Sequence, residues 1–242
     1  MNINLYLTPI PLGMIDLTDK IVVVIDVLRC TTSICAALTA GAKGVIPVAG
    51  PGEAGDMWAK IGSDNAVLAG ERNGVKIENF QLGNSPSEFT PESVGGKYVV
   101  MTTTNGTAAF VMAGNRSTVL SCSLVNISQV AERVVREGRD VAIICAGQKG
   151  QFSIEDTICG GMLIHLSGAG QEKEISLNDA ASLASLLYDR NKTDIKGTIS
   201  QGEHGRFLAS IGFAGDLETA ASIDAIPVLP VMKEGRLVPD NN

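Results

Sequence analysis

The chain has 242 residues, a formal net charge of −7, and 45% hydrophobic but only 4% aromatic residues. It is long enough to bury a sizeable core, and its apolar content is typical of a globular protein, not of a disordered one. The acidic balance and the few aromatic side chains exclude the usual means of binding nucleic acid, which are basic patches and stacked rings. We expect a single domain over residues 1–242.

The cysteines and the first residues bear on where the protein works. The five cysteines form no C-x-x-C pair and lie in apolar runs, which indicates reduced core residues. The opening string MNINLYLTPIPLGM lacks the basic start and long apolar stretch of a signal peptide, and no apolar run approaches the ~20 residues that span a bilayer. We expect a cytoplasmic protein with no membrane partner, which could form a homodimer.

Strands and helices alternate along the chain. Strands are predicted at 20–26, 45–49, 66–69, 97–102, 117–120 and 140–145, and helices at 31–41, 53–61, 105–113, 125–137 and 153–166. The last third is predicted to be mostly helical, at 176–190, 203–211 and 215–222, before a hairpin of strands 227–232 and 236–238. Runs such as KIVVVID are typical of buried parallel strands. The pattern predicts an α/β fold, a three-layer α/β/α sandwich with a mostly parallel (mixed) sheet.

The string MTTTNGT, Met101 to Thr107, lies where a predicted strand passes into a helix. The first N–H groups of a helix lack partners and the helix dipole is positive there, so an anion binds readily. Hydroxyl groups would add donors, and a glycine lets the backbone approach the anion closely. The alternative is an ordinary helix cap with a polar loop. The candidate substrate-binding residues of this loop are Thr103, Thr104, Asn105, Gly106 and Thr107.

Charged side chains follow several of the predicted strands. Ligands of open α/β sheets lie beyond the carboxyl ends of the strands, so these positions are candidates for a site. Carboxylates suit Mg²⁺, and the candidate metal ligands are Asp26, Glu71, Glu155 and Asp156. Arg29, Arg72 and Lys149 supply cations for a phosphate or carboxylate. These groups at one sheet edge describe a metal-assisted phosphoryl site, although Asp156 also fits a capping box with Ser153.

Two further patterns are open to a functional reading. His204 lies between glycines near a predicted helix start and could act as acid, base or anion donor, or simply cap the helix. Gly50, Gly52 and Gly55 match G-x-G-x-x-G after a strand, which makes a dinucleotide-binding oxidoreductase an alternative. Against that alternative, Pro51 suits the first position of a helix better than a pyrophosphate turn.

Five long strings in this chain resemble the 2-phosphosulfolactate phosphatase (ComB-like) family. They are VVIDVLRCTTSI, LAGERNGVKIENFQLGNSPSEFT, VVMTTTNGT, ICAGQKGQFSIEDTICGG and GFAGDLETA, and they occur in order between residues 3 and 238. The resemblance implies a Mg²⁺-dependent phosphatase of α/β/α architecture. It also implies conversion of 2-phospho-3-sulfolactate to 3-sulfolactate and phosphate, on the route to coenzyme M.

The resemblance also assigns candidate site residues. The family's shared segments fall here on Asp26, Arg29, Thr31, Thr32, Glu71, Arg72, Asn84, Ser85, Asn105, Gly106, Thr107, Glu155, Asp156, His204 and Asp216. This chain departs from the family at Cys30, where a small alanine is frequent, and at Ala108 and Gln151, where a basic residue is common. Fewer cations would weaken the binding of a second anionic group such as a sulfonate.

Taken together, the sequence predicts an enzyme that acts on a small anionic phosphorylated substrate. The expected catalytic residues are Asp26, Arg29, Arg72 and His204, and the expected substrate-binding residues add Thr31, Thr32, Asn84 and Ser85 to the loop at 103–107. Whether Asp26 or a water molecule attacks phosphorus is left open. The alternative class is a non-catalytic protein that binds phosphorylated metabolites.

Overall fold

The computed structural model describes residues 1–9, 15–114, 118–168 and 175–240. In these ranges the strands are β1 (Asn2–Tyr6), β2 (Ile21–Ile25), β3 (Gly44–Pro47), β4 (Ala66–Arg72), β5 (Val75–Lys76), β6 (Tyr98–Thr102), β7 (Thr118–Cys122), β8 (Val141–Cys145), β9 (Ser176–Leu177), β10 (Pro230–Lys233) and β11 (Arg236–Pro239). The helices are α1 (Cys30–Thr39), α2 (Pro51–Ile61), α3 (Pro91–Val94), α4 (Gly106–Ala113), α5 (Ile127–Glu137), α6 (Ile154–Gly168), α7 (Asp179–Asn191), α8 (Ile195–Gln201), α9 (Glu203–Ser210) and α10 (Ala214–Ala221).

The predicted α/β architecture is confirmed, with helices on a large mixed sheet. The strand predicted from 117 begins at Thr118, since residue 117 lies outside the described ranges. The sequence analysis missed β1, in which Asn residues alternate with the buried Ile3 and Leu5, so that no long apolar run marks the strand. It also missed α8 and the short elements β5, β9 and α3.

The strands of the described chain form one sheet made of two parallel blocks. The order across the sheet is β5-β4-β6-β3-β11-β10-β7-β2-β8-β1-β9. Strands β4, β6 and β3 are parallel to one another, as are β7, β2, β8, β1 and β9. Between the blocks, β10 and β11 form an antiparallel hairpin that pairs antiparallel with β7 on one side and with β3 on the other. Three successive reversals mean that the two blocks run in opposite directions.

Helices cover both faces of the sheet. Strand β2 is buried on both sides, which explains its unbroken apolar sequence. Its Val22 and Val24 belong to a core shared with α1 and α4, whereas Val23 faces a second core shared with α5 and α6. Helix α4 packs against both β2 and β3, which are separated in the sheet by three other strands. The sheet therefore curves around α4, and the ends of the two opposed blocks can approach each other.

The five cysteines are buried free thiols, as predicted. None of the described helices combines the length and the apolar character needed to cross a membrane.

Replacement of Phe110 tests how much the core between the two blocks of the sheet contributes to stability. Phe110 lies on α4 and is fully buried between the blocks. We expect Phe110→Ala to lower the free energy of unfolding by about 3–5 kcal/mol, because the residual cavity adds to the lost apolar burial. Denaturant titration measures the loss. Phe152→Ala is the matched control, since that side chain is 60% exposed, and an equal loss in both variants would contradict this account of the core.

Candidate functional site

A cleft with an empty volume of about 490 Å³ opens where the loops after β2, β4, β6 and β8 meet. The predicted site residues that line it are Asp26, Arg29, Glu71, Asn84, Thr103, Thr104, Asn105 and His204. Lys149, named from the sequence as a cation for a phosphate or carboxylate, also lines the cleft. Sequence reasoning gave no site role to the remaining lining residues, which are Leu28, Asn73, Gly74, Gln148 and Phe207. Groups from both opposed blocks thus share one cleft.

Asp26 lies in the cleft between the starts of two helices, α1 and α4. Its side chain follows β2 and is only 6% exposed. The Cys30 N–H, at the start of α1, donates to Asp26 Oδ1 at 3.2 Å. A Cβ atom added to Gly106, the first residue of α4, would lie 2.4 Å from Asp26 Oδ2. The glycine therefore permits the start of α4 to touch this carboxylate, and the positive ends of both helices face it.

The electrostatics of Asp26 reflect its burial. Burial, with smaller contributions from the nearby carboxylates of Glu71 and Glu155, raises the pKa of Asp26 from 3.8 to about 6. His204 and the Cys30 N–H act in the opposite direction. The cleft therefore holds more buried negative charge than its own donors balance, and a bound cation would relieve it.

In the loop at 103–107, which was predicted to bind an anion, threonine hydroxyls accept hydrogen bonds from the loop's own backbone. Thr103 N–H donates to Thr107 Oγ1 at 3.0 Å, and Thr107 N–H donates to Thr103 Oγ1 at 3.1 Å. In the described part of the chain, the backbone N–H groups of Asn105 and Gly106 have no protein acceptor. An anion in the cleft can therefore take hydrogen bonds from the start of α4 without displacing a protein group.

Glu71 organises the loops on the β4 and β6 side. Its Oε1 accepts the Thr104 N–H at 2.7 Å and its Oε2 accepts the Gly74 N–H at 2.8 Å. The neighbouring Arg72 turns to the carbonyl of Glu71 at 2.7 Å and to Thr102 Oγ1 at 3.0 Å. The structure thus uses both charged groups to join the ends of β4 and β6, and Arg72 is not among the residues that line the cleft.

Arg29 is the buried cation of the cleft. Its Nη1 donates to Asp216 Oδ2 at 2.7 Å and its Nη2 donates to the Gly74 carbonyl at 2.7 Å. Its guanidinium lies 4.2 Å from the ring centre of Phe213. Asp216 also accepts the Ser85 hydroxyl at 2.6 Å. The side chain of Arg29 is therefore fixed from two directions, by α10 and by the loop after β4. Phe213, which sequence reasoning missed, lies in the string GFAGDLETA that carried part of the family resemblance.

Glu155 and Asp156 are adjacent in α6 but have different surroundings. Glu155 Oε1 lies 3.4 Å from His204 Nδ1, and that histidine lines the cleft. Asp156 accepts the Val27 N–H at 2.8 Å and the Gly147 N–H at 3.0 Å, so it joins the loops after β2 and β8. These contacts differ from the capping box that was the alternative for Asp156.

Four predicted substrate-binding residues support the cleft in different ways. The hydroxyl of Thr31 donates to the carbonyl of Asp26 at 2.7 Å, and that of Thr32 donates to the carbonyl of Val27 at 2.8 Å. Ser85 is bound to Asp216, as described above. Asn84 lines the cleft, and its buried Oδ1 has no partner in the described part of the chain. Asn84 is therefore the member of this set with a polar atom left for a ligand.

The glycines of the dinucleotide alternative begin a helix. Gly50 caps α2 and Pro51 occupies its first turn, as the sequence indicated. Glu71, the acid at the spacing for a ribose hydroxyl, instead accepts two backbone N–H groups.

The carboxylates of the site are the candidate ligands for a metal ion. Among the described residues, no three His, Cys, Asp or Glu side chains lie close enough together to hold a metal ion by themselves. Mg²⁺ commonly takes one or two protein carboxylates together with substrate phosphate and water, and a carboxylate with open oxygen atoms is sufficient for that mode. Asp26 and Glu155 fit this description better than Glu71 and Asp156, whose oxygens all accept backbone N–H groups.

Comparison with known proteins identifies the family to which this chain is similar. Residues 7–235 match the family described as 2-phosphosulpholactate phosphatase. A relative from Symbiobacterium thermophilum is 38% identical over 223 residues, which cover 92% of this chain and 95% of the relative. A relative from Clostridium acetobutylicum is 37% identical over 238 residues, 98% of this chain and 100% of the relative. Both are named probable 2-phosphosulfolactate phosphatase. The matched range contains every residue that lines the cleft.

Ionisation of the buried Asp26 carboxyl makes the free energy of unfolding depend on pH. In protein freed of divalent metal, we expect Asp26→Asn to raise the free energy of unfolding by roughly 1–3 kcal/mol at about pH 8, because burial raises the pKa of the Asp26 carboxyl and penalises its ionised form. The asparagine still accepts the Cys30 N–H but carries no buried charge. Because the raised pKa penalises only the ionised folded form, the difference should shrink as the pH falls from 6 towards 4.

Denaturant titrations across this pH range measure the effect. Asp64→Asn, at an exposed position, is the control and should show no such trend. A destabilised Asp26→Asn at about pH 8 would contradict the charge balance described here.

Proposed function

We propose that this chain, which belongs to the 2-phosphosulpholactate phosphatase family, hydrolyses a small anionic phosphate monoester. The proposed substrate is 2-phospho-3-sulfolactate, which would give 3-sulfolactate and phosphate. The observation that carries the proposal is the start of α4, where the N–H groups of Asn105 and Gly106 have no acceptor among the described residues, beside a cleft that contains Asp26 and Arg29. We propose that this chemistry takes place in the cytoplasm.

The start of α4 and Arg29 would bind the phosphoryl group. Two backbone N–H donors and a guanidinium can share the three phosphoryl oxygens, and their charge complements the charge that develops during transfer. Arg29 is already held by Asp216 and by the Gly74 carbonyl, so little side-chain reorganisation is needed when substrate binds. Positioning of this kind is the main contribution a protein makes to phosphoryl transfer.

Asp26 would supply the basic oxygen of the reaction. It either bonds to phosphorus itself or takes a proton from the attacking water, and both roles require the ionised form. His204 is the proposed acid, because its Nδ1 faces Glu155 and its other ring nitrogen is left to give a proton to the leaving oxygen. Glu155 would orient the ring and fix its tautomer.

Mg²⁺ is part of the proposal because the cleft contains excess buried carboxylate. Asp26 and Glu155 would hold the ion, together with oxygens of the substrate. When bound, it would neutralise charge on the phosphoryl oxygens. The raised pKa of Asp26, caused by burial and by two neighbouring carboxylates, supports a cation at this place.

The direct test is release of inorganic phosphate from a phosphate monoester, including 2-phospho-3-sulfolactate. Wild-type protein should release phosphate, lose this activity after rigorous chelation and regain it with Mg²⁺. Asp26→Asn should lower kcat by about 1000-fold or more, because it removes the basic oxygen but leaves the shape of the site unchanged. Asp64→Asn is again the surface control.

Two results would contradict the proposal. Full activity after chelation would exclude the metal-assisted reaction, and wild-type activity in Asp26→Asn would make Asp26 a structural acid. Tight substrate binding without any turnover in the wild-type protein would instead support the alternative of a non-catalytic binding protein.

A further inference from the structure

Lys149 lies where the cleft meets a second one. This second cleft has an empty volume of about 810 Å³ and lies at the starts of α6 and α9. Gln148, Lys149 and His204 line both clefts. The phosphoryl end of a substrate would lie at Asp26 and the start of α4, so the rest of the substrate has room to extend past Lys149.

The backbone presents Lys149 on a tight turn. Gln148 N–H donates to the Gln151 carbonyl at 2.8 Å, and Gln151 N–H donates to the Gln148 carbonyl at 2.9 Å. Between them, Lys149 has a φ of 52° and Gly150 a φ of 77°. A two-residue hairpin turn requires such positive φ values, which residues with a Cβ atom rarely adopt. A lysine with this φ value costs backbone conformational free energy, and a functional role of its side chain would explain why it stands here.

A buried carboxylate ties this turn to the phosphoryl site. Asp156 accepts the Gly147 N–H at 3.0 Å with one oxygen and the Val27 N–H at 2.8 Å with the other. Val27 directly follows Asp26. A Cβ atom on Gly147 would lie 2.2 Å from the Gln151 carbonyl oxygen, so the close return of the chain depends on this glycine. The position of Lys149 is therefore set relative to Asp26 by buried hydrogen bonds.

Among the described residues that line the cleft, Lys149 is the cationic side chain without an ion-pair partner. Of the two Lys or Arg side chains that line it, Arg29 is paired with Asp216 at 2.7 Å. Lys149 has no carboxylate partner in the described ranges. Lys149 is an exposed residue, and its ammonium can therefore pair with an anionic ligand without breaking an internal ion pair.

We propose that Lys149 is a specificity-determining residue that binds a second oxyanion group, a carboxylate or a sulfonate, on the phosphate monoester. This inference rests on the function proposed above. Gln148 lines the cleft as well, and its side-chain amide is a neutral donor that can share the same oxyanion. The enzyme then selects esters with two anionic groups, one held at the start of α4 and one at the turn of Lys149.

The experiment compares three esters of similar size: ethyl phosphate, phosphoglycolate with a carboxylate, and 2-sulfoethyl phosphate with a sulfonate. In the Mg²⁺-loaded wild-type protein, kcat/KM should be higher for at least one charged ester than for ethyl phosphate. In Lys149→Met, the ratio of kcat/KM for the charged ester to kcat/KM for ethyl phosphate should fall by about 10- to 100-fold. This is the loss expected for one charge-assisted hydrogen bond. Lys149→Arg should retain most of the preference, and Lys60→Met, on exposed α2, is the matched control.

The outcomes separate the two anions and separate this inference from the proposed function. A preference confined to phosphoglycolate identifies the carboxylate as the group bound, and one confined to 2-sulfoethyl phosphate identifies the sulfonate. Equal ratios in wild type and Lys149→Met, or no preference in the wild type, overturn the inference even if turnover is high.

Absence of turnover with all three esters would argue against the proposed function, and binding then decides this inference. Phosphonoacetate, 2-sulfoethylphosphonate and ethylphosphonate, three non-hydrolysable probes, are titrated by calorimetry into wild type and Lys149→Met. Tighter binding of either charged probe that is lost in the variant supports the role of Lys149, and equal binding of all three probes overturns it.

Discussion

A carboxylate buried at the end of β2 is the constraint around which the site is arranged. An isolated charge as buried as Asp26 is costly, and the chain offsets part of that cost with the starts of two helices. Cys30, at the start of α1, donates its N–H to one oxygen, and Gly106, at the start of α4, lies against the other. Burial, together with the carboxylates of Glu71 and Glu155, nevertheless raises the pKa of the Asp26 carboxyl to about 6. Such an arrangement sacrifices stability for a reactive group, as functional sites commonly do.

The curvature of the sheet, whose two blocks run in opposite directions, brings the start of α4 to the Asp26 carboxylate. Strands β2 and β6 run in opposite directions, because the hairpin β10–β11 reverses the strand direction between their blocks. In a flat sheet their carboxyl ends would lie at opposite edges. The sheet instead curves around α1 and α4, and the loops after β2 and β6 line one cleft. Through backbone N–H groups, Glu71 joins the loops after β4 and β6, and Asp156 joins the loops after β2 and β8. These contacts hold the loops around the cleft in place.

Local sequence patterns predicted the elements and much of the cleft, and they failed where the structure depends on distant pairing. The apolar run at 20–26 and the hydroxyl-rich string at 101–107 each predicted their structure, because both signals are local. The reasoning that all these groups share one edge of a parallel sheet was incomplete, since the reversal by β10 and β11 leaves no mark on the other strands. The pairing of Arg29 with Asp216, 187 positions away, has no local signal either. Residue type also could not separate acids that bind backbone N–H groups, such as Glu71, from acids left open to a ligand.

The contact between α4 and Asp26 gives the most direct test of this account. Gly106→Ala places a methyl group where a Cβ atom would lie 2.4 Å from Asp26 Oδ2, so the helix start and the carboxylate must separate. Gly55→Ala in α2, where the added group meets open space, is the control. With circular dichroism showing that both variants are folded, the measurement is the rate of phosphate release. We expect Gly106→Ala to lose at least about 100-fold in kcat, which is the scale of removing preorganised oxyanion donors, and Gly55→Ala to keep the wild-type kcat. A folded Gly106→Ala protein with wild-type kcat would contradict it.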